Sequence, residues 1–409
     1  MSPLAGVSSG DPSPARAGAA PRRLGRYELV AKIAEGGMAT VFVARVARGV
    51  EPSEDRSDAV AIKMIRDEFA RNDDFLTMFE DEARIVSRLC HPNIVRTREF
   101  GSEGGRVFIA MDLLLGQSLW NVWEACRARR RRLRYDVIAW IGARVADGLH
   151  HAHEMVDEDG GRLDIVHRDV NATNVFVTYD GDVKVIDFGL AKAANRASRT
   201  AAGIIKGKIA YMAPEQSVGA PVDRRTDVFS LGATLWELSC DRRLFKHADE
   251  TETLRRVHAA DIPDPRRLID GFPPALWRVL ERALAREKDH RYATAAELAR
   301  DLDAFARGVG TVDQQTVADT MRELFADDHS RPAARIAEWR RYGQSAATAV
   351  PDTQEAEVTR SRSNALVALG RPAAVAVREA GPSRGELVRI VVAMAVIVAI
   401  VVASIVSAR

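Results

Sequence analysis

The sequence predicts an α+β chain of two lobes, a small β-rich lobe and then a larger helical one, with a transmembrane helix at the C-terminal end. Three observations predict it. Residues 27–112 hold five short runs rich in apolar and β-branched residues, separated by turn residues. From 116 to about 305 the apolar spacing becomes that of amphipathic helices. Strands first and helices after is an α+β order. Finally, residues 390–408 read IVVAMAVIVAIVVASIVSA, without a charge.

Taken in order, residues 1–26 form a lead rich in Ser, Pro, Gly and Ala. It lacks the apolar centre of a signal peptide and is expected to be disordered. Strands are predicted over 27–34, 40–46, 59–65, 95–101 and 106–112. The acidic, Pro-containing loop 49–58 predicts an exposed hairpin connection. Residues 74–89 carry Phe75, Leu76, Met78, Phe79, Ala83, Ile85, Val86 and Leu89, a helical spacing. One long amphipathic helix is predicted over 135–155, followed by a polar turn at 156–164. Buried helices are predicted at 230–238 and 274–284, and a helical extension within 306–345. Residues 346–386, rich in Ala, Ser, Thr, Pro and Arg, read as a flexible tether. The expected divisions are 1–26, 27–305 (lobes 27–112 and 116–305), 306–386 and 387–408.

Composition narrows the function. With 46% hydrophobic and 28% charged residues, the chain can bury a sizeable core. A net charge of +2 argues against a nucleic-acid partner. Cys90, Cys126 and Cys240 are far apart and form no CxxC pair, which argues against zinc or a disulfide framework. The apolar run 390–408 makes a helix of about 28 Å, close to the ~30 Å hydrocarbon thickness. Leu387 and Val388 lengthen it, with Arg389 snorkelling to the interface. The other reading, a buried core helix, lacks any following chain to cover it. Arg384 and Arg389 precede the run, so the folded part is expected on the cytoplasmic side of the cell (inner) membrane, with a single pass.

The chemistry concentrates in His167-Arg168-Asp169-Val170-Asn171-Ala172-Thr173-Asn174, followed by Asp187-Phe188-Gly189. These supply a candidate base, an amide and a carboxylate in order. Val60-Ala61-Ile62-Lys63 lies upstream and Ala213-Pro214-Glu215 downstream. Such a set does not assemble by chance. At these residues, over about 27–305, the chain resembles the eukaryotic-like bacterial Ser/Thr protein kinase family. The resemblance implies a bilobal protein-kinase-like fold, ATP as phosphoryl donor, Mg²⁺ (Mn²⁺ as the alternative) and protein substrates.

It also implies roles. Ile33-Ala34-Glu35-Gly36-Gly37-Met38-Ala39-Thr40-Val41 resembles the loop over the phosphates, where glycines let backbone N–H groups approach closely. Only Gly36 matches a motif glycine; Ala34 and Ala39 take the other two places. Lys63, which on its own reads as a strand-edge lysine, resembles the phosphate-binding lysine. Its helix partner would be Glu82, with Glu80 as the alternative. Asp169 resembles the catalytic base, and Asn174 and Asp187 the Mg²⁺ ligands, hard oxygen donors suited to that ion. Ile33, Val41 and Ala61 would cover adenine, although such residues are also plain core. Met111 resembles the gatekeeper, and Asp112 and Leu114 would offer backbone groups to adenine. Glu215 and Arg291 resemble a buried ion pair, and Asp227 the brace of the catalytic loop.

Some positions depart from the pattern. Asn171 stands where the family has Lys at the γ-phosphate, Ala172 where it has Pro, and Lys208 where it has Thr. If charge at the phosphate limits the rate, Asn171→Lys is expected to raise kcat or leave it unchanged. Ser198 and Thr200 fall where activation-loop phosphosites lie, or in a polar loop that is never modified. The arginine-rich run 127–134 suits an acidic partner or anionic lipid, or is a solvated helix end. The implied function is Ser/Thr phosphorylation of proteins, with autophosphorylation, by a membrane-tethered signalling kinase. The rival is a pseudokinase scaffold, favoured by Asn171, Ala34 and Ala39.

Overall fold

Strand alternation builds the small lobe. The structure is a computed structural model that describes residues 22–35, 39–47, 59–66, 69, 83, 86–188 and 209–326. All of them fall in one unit, Met1–Ala349. Six antiparallel strands form one sheet in the order β1-β2-β3-β4-β6-β5. They are β1 (Arg22–Leu24), β2 (Tyr27–Glu35), β3 (Ala39–Val46), β4 (Ala59–Ile65), β5 (Thr97–Glu103) and β6 (Arg106–Asp112). In β4, Val60, Ile62 and Met64 point to the lobe's core with Leu24, Tyr27 and Phe108. Each fully buried Val or Ile side chain contributes about 1.5–3 kcal/mol. Ala61 and Lys63 alternate to the opposite face. The five predicted strands all appear, with ends shifted by at most two residues.

A second sheet joins the lobes. β7 (Gly116–Ser118) pairs with β8 (Val175–Thr178), and β8 with β9 (Val183–Val185). Ser118 then accepts a bond from Asn121 N and caps α1 (Leu119–Ala128). The long helix α2 (Tyr135–His153) presents Ile138, Ile141, Val145 and Leu149 along one stripe, all buried. It packs against α4 (Arg225–Cys240) and α7 (Ala295–Val309). Between them come α3 (Pro214–Ser217), α5 (Glu250–Ala259) and α6 (Pro274–Ala283). Helix α4 is buried all round, as a core helix must be, and Ser230 and Thr234 satisfy their hydroxyls on carbonyls four residues back.

Two segments gain detail. The polar turn at 156–164 is closed into a small hairpin: Val156 bridges Arg162, and Asp157 and Gly161 exchange bonds of 2.8 and 2.7 Å. The arginine-rich run 127–134 is a solvated helix end, its arginines all exposed, and it also meets the extension. The extension forms α8 (Gln314–Leu324), and Arg129 Nη2 donates to Leu324 O at 2.7 Å while Arg131 pairs with Glu323 at 3.0 Å. At its other end Gln314 Nε2 donates to Asp180 O and Asp182 Oδ1, both at 3.0 Å. Helix α8 therefore lies against the β7-β8-β9 sheet.

Among the described residues no helix is long and apolar enough to cross a membrane. The predicted span 387–408, the tether and residues 1–21 of the lead lie outside them, as do Gly36, Gly37, Met38, Glu80, Glu82, Gly189, Ser198, Thr200 and Lys208. The last residues of the lead, 22–26, are ordered against expectation, because β1 pairs with β2 and buries Leu24. Of the predicted helix 74–89, only 83 and 86–89 are described.

Candidate active site

Sheet register collects the residues predicted for nucleotide. Val41 opposes both Ala34 and Lys63, and Ala61 opposes Met111. Directly opposed residues share a face, so Ala34, Val41, Ala61, Lys63 and Met111 line one side of the small-lobe sheet, away from its core. Ala39 opens β3 opposite Ile65. Ile33 is half exposed beside them, while Glu35 is turned outward in an ion pair with Lys32 at 2.7 Å. Asp112 N donates to Arg96 O at 3.0 Å, and its carboxylate holds Arg98 at 2.6 Å. Leu114 follows in the partly buried link to β7.

Lys63 Nζ reaches Asp187 Oδ1 at 2.6 Å, 124 residues away. This contact crosses from the small lobe to the large one. Asp187 adopts φ 62°, a left-handed conformation uncommon outside glycine. Beside it, Ile186 N donates to Asn174 O at 2.9 Å, and His167 Nε2 donates to Ile186 O at 3.0 Å. The His167 ring meets Phe188 edge-on at 4.7 Å. Asn174 Nδ2 donates to Asp169 O and Oδ2 at 2.8 and 3.0 Å. Asp169, Asn174, Asp187 and Lys63 are thus joined by one chain of contacts.

The loop is held from below by Asp227, which is fully buried. Its Oδ2 accepts from His153 Nε2 and His167 N, and its Oδ1 from Arg168 N, each at 2.8 Å. Burial pushes this carboxyl up; His153, the charge of His167 and the Arg168 N–H outweigh it and hold the group below the usual carboxylate range. Arg168 sits at φ 66° and its carbonyl accepts from Gln216 Nε2 at 3.1 Å. Glu215 and Arg291 form the expected pair, with both guanidinium nitrogens at 2.9 Å from the two carboxylate oxygens.

Sequence reasoning named Asp227 but not His153, Thr173 or Gln216. His153 had one signal: it falls on the buried face of α2 at its last turn, where an unpaired imidazole has to find a partner.

The family model for the protein kinase domain matches residues 27–316. The chain belongs to the protein kinase family. It is 39% identical over 283 residues to the Tyrosine-protein kinase MasK of Myxococcus xanthus (strain DK1622), covering 69% of this chain and 43% of that protein. It is 36% identical over 281 residues to the Serine/threonine-protein kinase PknL of Mycobacterium tuberculosis (strain ATCC 25618 / H37Rv), covering 69% and 66%. To the Serine/threonine-protein kinase PrkC of Bacillus subtilis (strain 168) it is 30% identical over 278 residues, covering 68% and 40%. The chain thus matches between about two fifths and two thirds of these relatives' lengths. The crystal structure of the Mycobacterium tuberculosis PknI kinase domain, C20A mutant, superposes with a TM-score of 0.52 at 25% identity, covering 70% of this chain and 98% of that one. These likenesses place the kinase in the eukaryotic-like bacterial Ser/Thr branch.

The donor set suits a divalent cation carried by a nucleotide. Asn174 turns its Nδ2 to Asp169, which leaves its Oδ1 as an oxygen donor. With the Asp187 carboxylate this gives two hard ligands, so phosphate oxygens and water must complete the shell. Among the described residues no group of three or more His, Cys, Asp or Glu is placed to hold a metal alone.

Proposed function

We propose that this kinase transfers the γ-phosphoryl group of ATP, with Mg²⁺, to Ser or Thr hydroxyls of proteins and of itself, while tethered to the inner membrane by residues 387–408. The observation that carries the reading is the Lys63–Asp187 contact at 2.6 Å, set beside the Asp169–Asn174 pair. Such a site puts a fixed cation, two cation ligands and a base where phosphoryl transfer needs them. Lys63 and the cation neutralise phosphate charge, and Asp169 accepts the proton of the acceptor hydroxyl. The relatives named for Ser/Thr activity support the acceptor class, whereas MasK bears the tyrosine name.

The membrane reading rests on the charge-free run and the arginines before it. The kinase domain then stays with cytoplasmic ATP.

The test uses the full chain in detergent with γ-labelled ATP and Mg²⁺. Label is expected on phosphoserine or phosphothreonine, with Lys63→Met and Asp187→Asn each abolishing it while the melting temperature holds. Undiminished label in either variant, or label confined to tyrosine, refutes the assignment. Carbonate extraction of cell membranes tests the tether: a chain released to the supernatant refutes it.

A further inference from the structure

Asn171 takes the place of a lysine, yet an amide carries no charge for a phosphate. Its surroundings give it another task. The residue is 4% exposed. Its Nδ2 donates to Asp169 O at 2.9 Å and to Asp169 Oδ1 at 3.0 Å. Its Oδ1 accepts from Thr173 N at 2.8 Å and from Thr173 Oγ1. A backbone N–H only donates, so Thr173 N fixes which end of the amide is oxygen. Both ends of the side chain are thus engaged within the loop.

On the other side Asn174 Nδ2 holds Asp169 Oδ2 at 3.0 Å. Each oxygen of the Asp169 carboxylate therefore receives an amide N–H, from opposite flanks. This matters because the last torsion of an aspartate is broad, and one donor leaves the group free to swing. Two donors on different oxygens fix its plane. A base must lie within hydrogen-bond reach of the proton it takes, so that rotation is functional.

We propose that Asn171 is a positioning residue that sets the rotation of the Asp169 carboxylate, with Thr173 locking the amide. The inference rests on the phosphoryl-transfer reading. It reverses the expectation for Asn171→Lys, because a lysine has no oxygen for the Thr173 donors and gives up that lock.

The experiment measures kcat, KM for ATP and melting temperature on the full chain in detergent, with γ-labelled MgATP and dephosphorylated casein. Asn171→Asp keeps the shape and the oxygen for Thr173 but loses the donor and sets a second carboxylate beside Asp169. Asp and Asn shape turns alike, so a merely structural role leaves kcat at the wild-type value. Positioning predicts a fall in kcat of about 10²-fold, the scale of a misplaced catalytic group. KM for ATP should hold within about twofold, because nucleotide binding is untouched. Asn171→Ala, which adds no charge, should fall about tenfold in kcat on the same scale. Thr173→Val, on the exposed side of the loop, should fall less, and adding it to Asn171→Ala should cost nothing more, since both act through one contact. Wild-type kcat in Asn171→Asp overturns the inference, as does a loss matched by rising KM or by lost melting. A wild-type chain that transfers no phosphate overturns the phosphoryl-transfer reading and this inference with it.

Discussion

Replacing Asp227 by Asn removes a charge and almost no volume, so its consequences reduce to hydrogen bonding. Asp227 receives three donors: His153 Nε2, His167 N and Arg168 N. An asparagine offers one oxygen. If that oxygen faces Arg168 N, the Nδ2 faces the other two. His153 can move its proton to Nδ1, which has no partner among the described contacts, but the His167 N–H cannot turn acceptor. One buried backbone donor is orphaned, at about 1–3 kcal/mol, and one charge-assisted bond becomes neutral, at about 1 kcal/mol. The expected loss is about 2–4 kcal/mol, which lowers the melting temperature of a domain this size by roughly 5–15 °C. The catalytic loop suffers as well. Arg168 holds φ 66° only because its N–H and carbonyl are both gripped. Release lets it relax and moves Asp169, and a displacement of ~1 Å costs about 10²-fold in kcat. The folded-state carboxyl is depressed, so its stabilisation is full above about pH 3.9 and is lost as pH falls further. The gap between variant and wild type should therefore narrow as pH falls below about 3.9. Thermal melts across pH and initial rates at saturating MgATP check both arms. A variant melting within ~2 °C of wild type, with unchanged kcat, refutes the reasoning.

Glu215→Gln should destabilise the large lobe by about 3 kcal/mol, because it leaves the fully buried Arg291 guanidinium without its counter-charge. Carbonyls of Ala285, Arg225 and Arg286 already share that guanidinium, which keeps the loss at the low end; urea melts read it. Gly181→Ala should loosen α8, since Gly181 has φ +86° and an added Cβ would lie 2.1 Å from Gln314 O. Faster amide exchange over 314–324, with α2 unaffected, is the expected signature, and unaltered exchange refutes the docking argument.

The strands and the lobe order were legible because half-buried strands and amphipathic helices write their periods directly into sequence. The short strands β7, β8 and β9 were not. Three or four residues carry too little period to stand out, and Gly116-Gln117-Ser118 has no apolar residue at all. The turn at 156–164 was legible from its polar residues, but not the bridge that closes it, which depends on Val156 meeting Arg162 across a loop and not on pattern. The arginine run is exposed, as its charge predicts. What charge could not reveal is that Arg129 also donates to a helix carbonyl, a neutral acceptor.

At the site, sequence supplied residue types and order but not the direction of each side chain. Lys63 and Asp187 were named separately for phosphate and metal; that they touch at 2.6 Å across the lobes is a fact of the fold. Asn171 shows the limit most clearly. Read as a substitution, it is a missing charge and favours a scaffold without turnover. Read in place, it is an amide engaged at both ends, with Thr173 two residues on supplying the donors that a lysine would not need. The loss of charge and the gain of a brace are carried by one side chain. The departure from the family pattern therefore argues less against turnover than it did as a letter in the sequence. The same loop that lacks a lysine at 171 holds Asp169 by both carboxylate oxygens.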